Sequence, residues 1–600
     1  MSAFQDFGPL TERRRAEKQR TQRKRLMIGG ASAAVVLLVI VGAACVVNRE
    51  KTSSEPSRSS TSNAAAAAAD SSIHSVSKTV KMLCSPTDYK ESCEKALSKA
   101  AANSTSSPKD LIKAAVAAIA DEVDKSFGRV ADSVKSDDPR VRAAVDDCKE
   151  LFGYAKAELL RTMNGIDAHR LDDLPKKGHE LRIWLSSVIT DQETCVEGFP
   201  EGELKKKMKD GMEAAKHLTS NALAIIGKAP SFLSSLHVPG VSGGRRRLLE
   251  AEEGRELRGD GFPAWLSSKE RRALKGQAKN NLTPNLVVAK DGTGNFTTIN
   301  DAINAVPKTY DGRFVIYIKE GVYEEQVIVP KQMVNLTLFG DGSRKTIITG
   351  SRNVADGNNM TTYKSATVAV HGDGFVGTGI GFRNTAGAIK HQAVALRVQS
   401  DRSVFLNCRM EGYQDTLYAH SMRQFYRNCI ISGTVDFIFG DAAAVLQNCI
   451  LVVRRPLDNQ QNIVTAQGRS DGHQPTGFVV HHCRIIPDGR LVPDKLAIRS
   501  YLGRPWREYS HTIIMESQIG DFISRDGYLP WDGDFGLKTL SYAEYNNKGA
   551  GADTAARVRW PGYRTITSRD DAAKYTVAAF LNGDQWIRST GTPVRLGLYQ

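Results

Sequence analysis

The chain has 600 residues, 41% of them apolar, and a formal charge of +15. It is too long for a single core and long enough for two or three. Eight Lys/Arg against three Asp/Glu in the first 25 residues supply about a third of the charge. The rest suits a polyanionic partner, while the lack of paired-Cys zinc spacing, a Walker loop or basic–aromatic interleaving excludes nucleic acid from the expected partners.

After the basic tail of residues 1–25, Leu26 to Val47 form 22 uncharged residues. That length crosses a bilayer, and Arg23, Lys24 and Arg25 place the N-terminus in the cytoplasm. The alternative is a cleaved signal peptide, whose apolar core is usually shorter. Either device delivers the rest of the chain to the secretory lumen, where sequons at Asn103, Asn281, Asn295, Asn335 and Asn359 are glycosylation candidates. Residues 48–72 are a low-complexity spacer.

From 73 to 228 the period is helical. Ile112, Val116, Ile119, Val123, Phe127, Val130 and Val134 recur at steps of three and four, behind Ser107-Pro108 and before Pro139. Similar stripes over 141–163, 181–195 and 204–225 complete an expected antiparallel four-helix bundle. Cys84 and Cys93 stand at its entrance and Cys148 and Cys195 on different helices, so the expected bridges are Cys84–Cys93 and Cys148–Cys195. The segments "LCSPTDYKESC", "DDCKELFGYAKAEL" and "WLSSVITDQETCVEGF" resemble the plant invertase and pectin methylesterase inhibitor domain. The resemblance implies a non-catalytic bundle with an inhibitory or folding role.

Residues 229–284 are Gly-rich, charged and aperiodic, an exposed linker. Two basic clusters, Arg245-Arg246-Arg247-Leu248-Leu249 and Arg271-Arg272-Ala273-Leu274, resemble the processing sites of plant pro-enzymes, which makes a protease an expected partner.

From 285 to 600 short β-rich runs are punctuated by Gly, Asn and Asp. The stretches "SVFLNCRMEGYQDTLY", "RQFYRNCIISGTVDFIF", "AAVLQNCILVV" and "GFVVHHCRIIPDG" share an apolar run, then N/H-C, with cysteines 21, 20 and 34 residues apart. A period near 20 with three short strands per repeat reads as an all-β parallel β-helix. Asp415 and Asp436 then occupy one phase of successive coils, about 5 Å apart, and two carboxylates so placed cannot comfortably both ionise. An Asp ladder or a pair of turn caps would give the same spacing. The apolar flanks "YQDTLY" and "VDFIF" favour a desolvated acid. Retaining glycosidases also pair two acids at this distance. Gln414, and Gln392 about one coil earlier, add the neutral donors that a tetrahedral oxyanion needs. Arg504 and Trp506 in "YLGRPWREYS" suit an ionised Asp and a stacked sugar.

The segments "GAIKHQAVALR", "GYQDTLYAH", "GTVDFIFGDAAAVLQNC" and "LGRPWREYS" together resemble the plant pectin methylesterases, or pectinesterases. That resemblance implies a right-handed parallel β-helix that hydrolyses galacturonate methyl esters of cell-wall pectin. It implies Asp436 as nucleophile, Asp415 as general acid/base, Gln392 and Gln414 as oxyanion donors, and Thr362, Arg504 and Trp506 as substrate contacts. It tips a choice left open by stacking, between Cys429–Cys449 and Cys408–Cys429, toward a Cys429–Cys449 bridge with Cys408 and Cys483 as thiols. No cofactor or metal is expected. The expected partners are methyl-esterified pectin, the chain's own helical pro-region or separate inhibitor proteins, and a membrane before processing to a form secreted to the cell wall. Two rivals are a polygalacturonase or lyase, which would want further acids, and a non-catalytic inhibitor or wall-binding protein.

Overall fold

A computed structural model describes residues 77–101, 107–133, 136–171, 173–235, 283–357 and 360–599. The apolar segment Leu26 to Val47, both basic clusters of the linker, and Asn103, Asn281 and Asn359 lie outside these residues. Among the described residues no helix is long and apolar enough to cross a membrane. The remaining sequon asparagines are Asn295, exposed, and Asn335, half-buried.

The N-terminal part is helical: α1 (Lys90–Ala101), α2 (Pro108–Ser133), α3 (Pro139–Asp167), α4 (Leu174–Glu197) and α5 (Glu203–Ser235). The expected start signals work as local chemistry. Ser107 and Asp110 cap α2 reciprocally, the serine N–H and hydroxyl on the carboxylate and the Asp110 N–H on the serine oxygen. Pro139 opens α3 behind Asp138, whose carboxylate accepts from the Arg140 N–H. The stripe of Ile112, Val116, Ile119 and Val123 is wholly buried. The long helices close a ring in which α2 packs on α3 and α5, and α4 packs on α3 and α5. Both expected bridges are present, Cys84–Cys93 and Cys148–Cys195. Helix α5 runs through Pro230 to Ser235, beyond the expected limit at 228.

The C-terminal part holds 26 strands among the described residues, β1 (Leu286–Val288) to β26 (Tyr563–Thr565), in three sheets of 11, 7 and 8 strands. Every pairing between them is parallel and each strand pairs with those about three elements away, which is the coil of a β-helix. The N/H-C signature has a structural cause. Asn407, Asn428, Asn448 and His482 all sit at φ between 53 and 55°, turning the chain from the first sheet to the third at a left-handed corner. Asn tolerates that conformation, and Asn448 Nδ2 donates to Asn428 Oδ1 at 2.7 Å, continuing the ladder between coils. The following cysteine points into the core between coils.

Here one expectation fails. Cys408, Cys429, Cys449 and Cys483 are all buried free thiols, so the Cys429–Cys449 bridge is absent. Each Sγ reaches a carbonyl of the preceding coil: Cys408 to Gly377 at 3.3 Å, Cys429 to Phe405 at 3.3 Å, Cys449 to Tyr426 at 3.6 Å and Cys483 to Leu446 at 3.2 Å. Stacking sets the cysteines in parallel, whereas a disulfide needs converging Cβ vectors. Short helices α6 (Ile299–Asn304), α7 (Arg569–Ala573) and α8 (Val577–Leu581), too short to show a period, also interrupt the region expected to be all strand.

Candidate active site

The seven-stranded sheet carries the site. Its central strands are β10 (Leu396–Gln399), β13 (Leu417–Ser421), β16 (Ile438–Gly440) and β19 (Asn462–Gln467), with β22 (Ser500–Gly503) at one edge. Leu396, Leu417 and Ile438 point inward and stack in register, so the intervening Arg397, Tyr418 and Phe439 point outward as a second stacked row. Tyr418 and Phe439 lie ring on ring at 4.2 Å, and Trp506 meets both edge-on at 6.4 and 5.8 Å, making an aromatic floor. Gly468 lets the indole lie there, since a Cβ at that position would come within 2.7 Å of the ring.

Asp415 and Asp436 precede β13 and β16 by the same two residues, at one phase as the repeat requires. The Asp415 N–H donates to the Val435 carbonyl at 3.1 Å, tying the two coils together at the site. Both residues hold left-handed φ, 63° and 50°, which lifts their carboxyl groups out of the strand pleat. They are only 7% and 6% exposed, and their environments differ. Arg504, just past β22, grips Asp436 at two points, Nε on Oδ1 at 2.8 Å and Nη2 on Oδ2 at 2.5 Å. Asp415 has no such partner among the described residues. Burial first, and the Asp436 charge second, push its carboxyl well above the usual range, against a smaller opposing pull from Arg504. Arg504 in turn rests on the Trp531 ring at 4.2 Å. The pair can therefore offer one ionised and one protonated oxygen acid side by side.

Gln414 adjoins Asp415, and its carbonyl accepts from the N–H of Ala393, next to Gln392, at 3.3 Å, so both amide-bearing residues sit at the same edge as the carboxyls. Each is half-buried. Thr362 caps a short turn, Tyr363–Ser365, one further coil away. The sequence reading thus names residues that the fold gathers. It passes over Tyr418, Phe439 and Trp531, although the first two follow their Asp by three residues in both repeats. Among the described residues no group of His, Cys, Asp or Glu could hold a metal ion.

Helices α3 and α4 lie over this face. From α4, Trp184 Nε1 donates to Asp401 at 3.2 Å, Thr190 to Asp441 at 2.8 Å, Thr194 bonds His420 at 2.8 Å, and Glu197 pairs with Arg507 at 2.9 Å. From α3, Asp147 accepts from Thr361 at 2.5 Å, Glu150 pairs with Lys364, and Arg161 pairs with Asp373 at 2.7 Å. These contacts flank Thr362 on one side and Trp506 on the other.

A pectinesterase family model matches residues 285–584, and a plant invertase/pectin methylesterase inhibitor model matches 78–225. Pectinesterase/pectinesterase inhibitor 45 of Arabidopsis thaliana is 49% identical over 527 residues, covering 87% of this chain and 85% of its own. Pectinesterase 3 of Citrus sinensis is 43% identical over 528 residues, covering 86% and 88%. Among solved structures, the pectin methylesterase from carrot aligns with a TM-score of 0.52 at 52% identity, covering 53% of this chain and 99% of its own, so a protein of the β-helix's extent folds alone. The chain belongs to the pectinesterase family of carboxylic ester hydrolases and carries a plant invertase/pectin methylesterase inhibitor domain ahead of the esterase.

Proposed function

We propose that Asp436 attacks the methyl ester of a galacturonate unit in pectin while Asp415, protonated, gives its proton to the leaving methoxide. The observation that carries this is the unequal treatment of two stacked carboxyls: Arg504 closes on Asp436 alone, and burial beside that charge keeps the proton on Asp415. Gln392 and Gln414 donate to the oxyanion of the tetrahedral intermediate, a role that needs neutral donors at the edge where both lie. Asp415, now ionised, draws a proton from water, which attacks the acyl-enzyme, releases the galacturonate carboxylate and restores Asp436. Thr362 and Trp506 bound the sugar, Trp506 by stacking.

In this reading the helical region is a four-helix inhibitory pro-region. Its α3 and α4 hold Thr361, Lys364 and Arg507, side chains on both sides of the cleft, so a polymer cannot enter while they stay. Release follows cleavage of the linker after Arg247 or at the Arg271–Leu274 cluster, and Leu26 to Val47 anchors the precursor in a secretory membrane. The sequons are glycosylated in that compartment, and the freed esterase works in the cell wall. Comparing methanol release from esterified pectin by the full chain and by the segment 276–600 tests this: the segment is active and the full chain at least tenfold less so. Equal activities would remove the inhibitory role, and new reducing ends without methanol would favour a glycosidase.

A further inference from the structure

Arg397 stands in the outward row of the seven-stranded sheet, in register with Tyr418 and two strand spacings, about 10 Å, from Phe439. It is 3% exposed, and its guanidinium lies flat on the Tyr363 ring at 3.4 Å. One Nη meets His371 at 3.3 Å, while Nε and the other Nη have no hydrogen-bond partner. No carboxylate among the described residues lies within ion-pairing distance of it. Around it the buried lining is similarly underused, with Gln399 Oε1, His371 Nδ1 and His420 Nδ1 unpaired. A buried cation without an anion is a costly arrangement that packing against α3 and α4 does not explain.

We propose that Arg397 is the binding site for the free carboxylate of an already de-esterified galacturonate unit, unmasked when the helical region leaves. The inference rests on the pectinesterase reading above and adds a specificity to it. A planar guanidinium backed by an aromatic ring presents two parallel N–H donors to a carboxylate, a recognition that a methyl ester cannot match. Its place beside the aromatic floor puts this site along the polymer from the Asp415–Asp436 pair. Each hydrolysis leaves a carboxylate on the same chain, so a polymer held at Arg397 by an earlier product unit presents a neighbouring ester to Asp436. Products then accumulate in blocks.

The test uses the segment 276–600, with unesterified polygalacturonate as the probe. Wild type binds it, Arg397→Gln binds about tenfold more weakly, and Arg397→Lys falls between them, while methanol release from fully esterified pectin drops by a smaller factor. Methyl groups left by the wild type are distributed in blocks and those left by Arg397→Gln are scattered, as read by NMR. Polygalacturonate also protects Arg397 of the wild type from phenylglyoxal, a measurement that stands if Arg397→Gln fails to fold. Equal binding by wild type and a folded Arg397→Gln, or absence of that protection, overturns the proposal. A segment that binds polygalacturonate through Arg397 but releases no methanol refutes the esterase reading and leaves the carboxylate site standing.

Discussion

Arg504 closes a two-point ion pair on Asp436 and makes none with Asp415, one coil away at the same phase of the repeat. Two chemically identical side chains are thereby given opposite tasks by one cation on a neighbouring coil. Arg504 also pulls the Asp415 proton affinity down slightly, against the upward push of burial and of Asp436. Replacing it with Gln in the segment 276–600 removes that pull, so the alkaline limb of kcat/KM, where Asp415 loses its proton, moves to higher pH. The same change lowers kcat by roughly 10²-fold or more, because the ionised nucleophile loses its charge-assisted partner. A pH profile of the variant that keeps its limb in place would detach the limb from Asp415.

Docking of the helical region should depend on pH through buried carboxyls. Burial pushes Asp147 up to about 6 and Asp441 up to about 7, and Asp191 well above its usual value. On release all three return toward about 4. A group whose docked value is raised favours docking fully below its free value and loses that contribution as pH rises through the docked one. The docking constant therefore falls between about pH 4 and 7, by up to about tenfold per pH unit for each group. Glu193 works in the opposite sense: against burial, Arg507 and Lys216 hold it down at about 2, so its contribution is lost only as pH falls from about 4 toward 2. After cleavage of the linker, the bound fraction of the helical region measured by gel filtration should be greatest near pH 4–5 and decline toward neutrality. Asp147→Asn keeps the acceptor for the Thr361 hydroxyl and should flatten the decline near pH 6.

Gly468→Ala should act on the cleft alone. Its Cβ would fall 2.7 Å from the Trp506 ring, so the indole must tilt away from Tyr418 and Phe439. KM for pectin should rise severalfold with the melting temperature little changed, and the Trp506 emission should shift red. An unaltered KM would separate Trp506 from substrate binding.

Alkylation in denaturant without reductant should label Cys408, Cys429, Cys449 and Cys483, and spare Cys84, Cys93, Cys148 and Cys195. A Cys429–Cys449 peptide in the non-reduced map would restore the bridge that stacking alone suggests.

The period was legible because a β-helix writes its geometry into the sequence: each coil repeats the corner Asn before Cys and the Asp three residues before an aromatic. Phase, however, fixes height along the helix and not side-chain direction. For that reason Asp415 and Asp436 could be placed together while the cysteines could not be judged bridged or parallel. The capping of α2 by Ser107 and of α3 by Asp138 was readable from adjacent residues. The pairing of Arg161 with Asp373, or of Trp184 with Asp401, spans more than 200 residues of chain and leaves no local pattern. Trp531 was hidden similarly, since its position under Arg504 depends on a long loop after β22.

Methanol release by Asp436→Ala in the segment 276–600, with folding verified by circular dichroism, tests the central claim most directly. Removing the nucleophile of a covalent mechanism should cost roughly 10³-fold or more in kcat while pectin still binds. A folded Asp436→Ala within about tenfold of the wild type would contradict the assignment, and the stacked aspartates would then be a structural ladder.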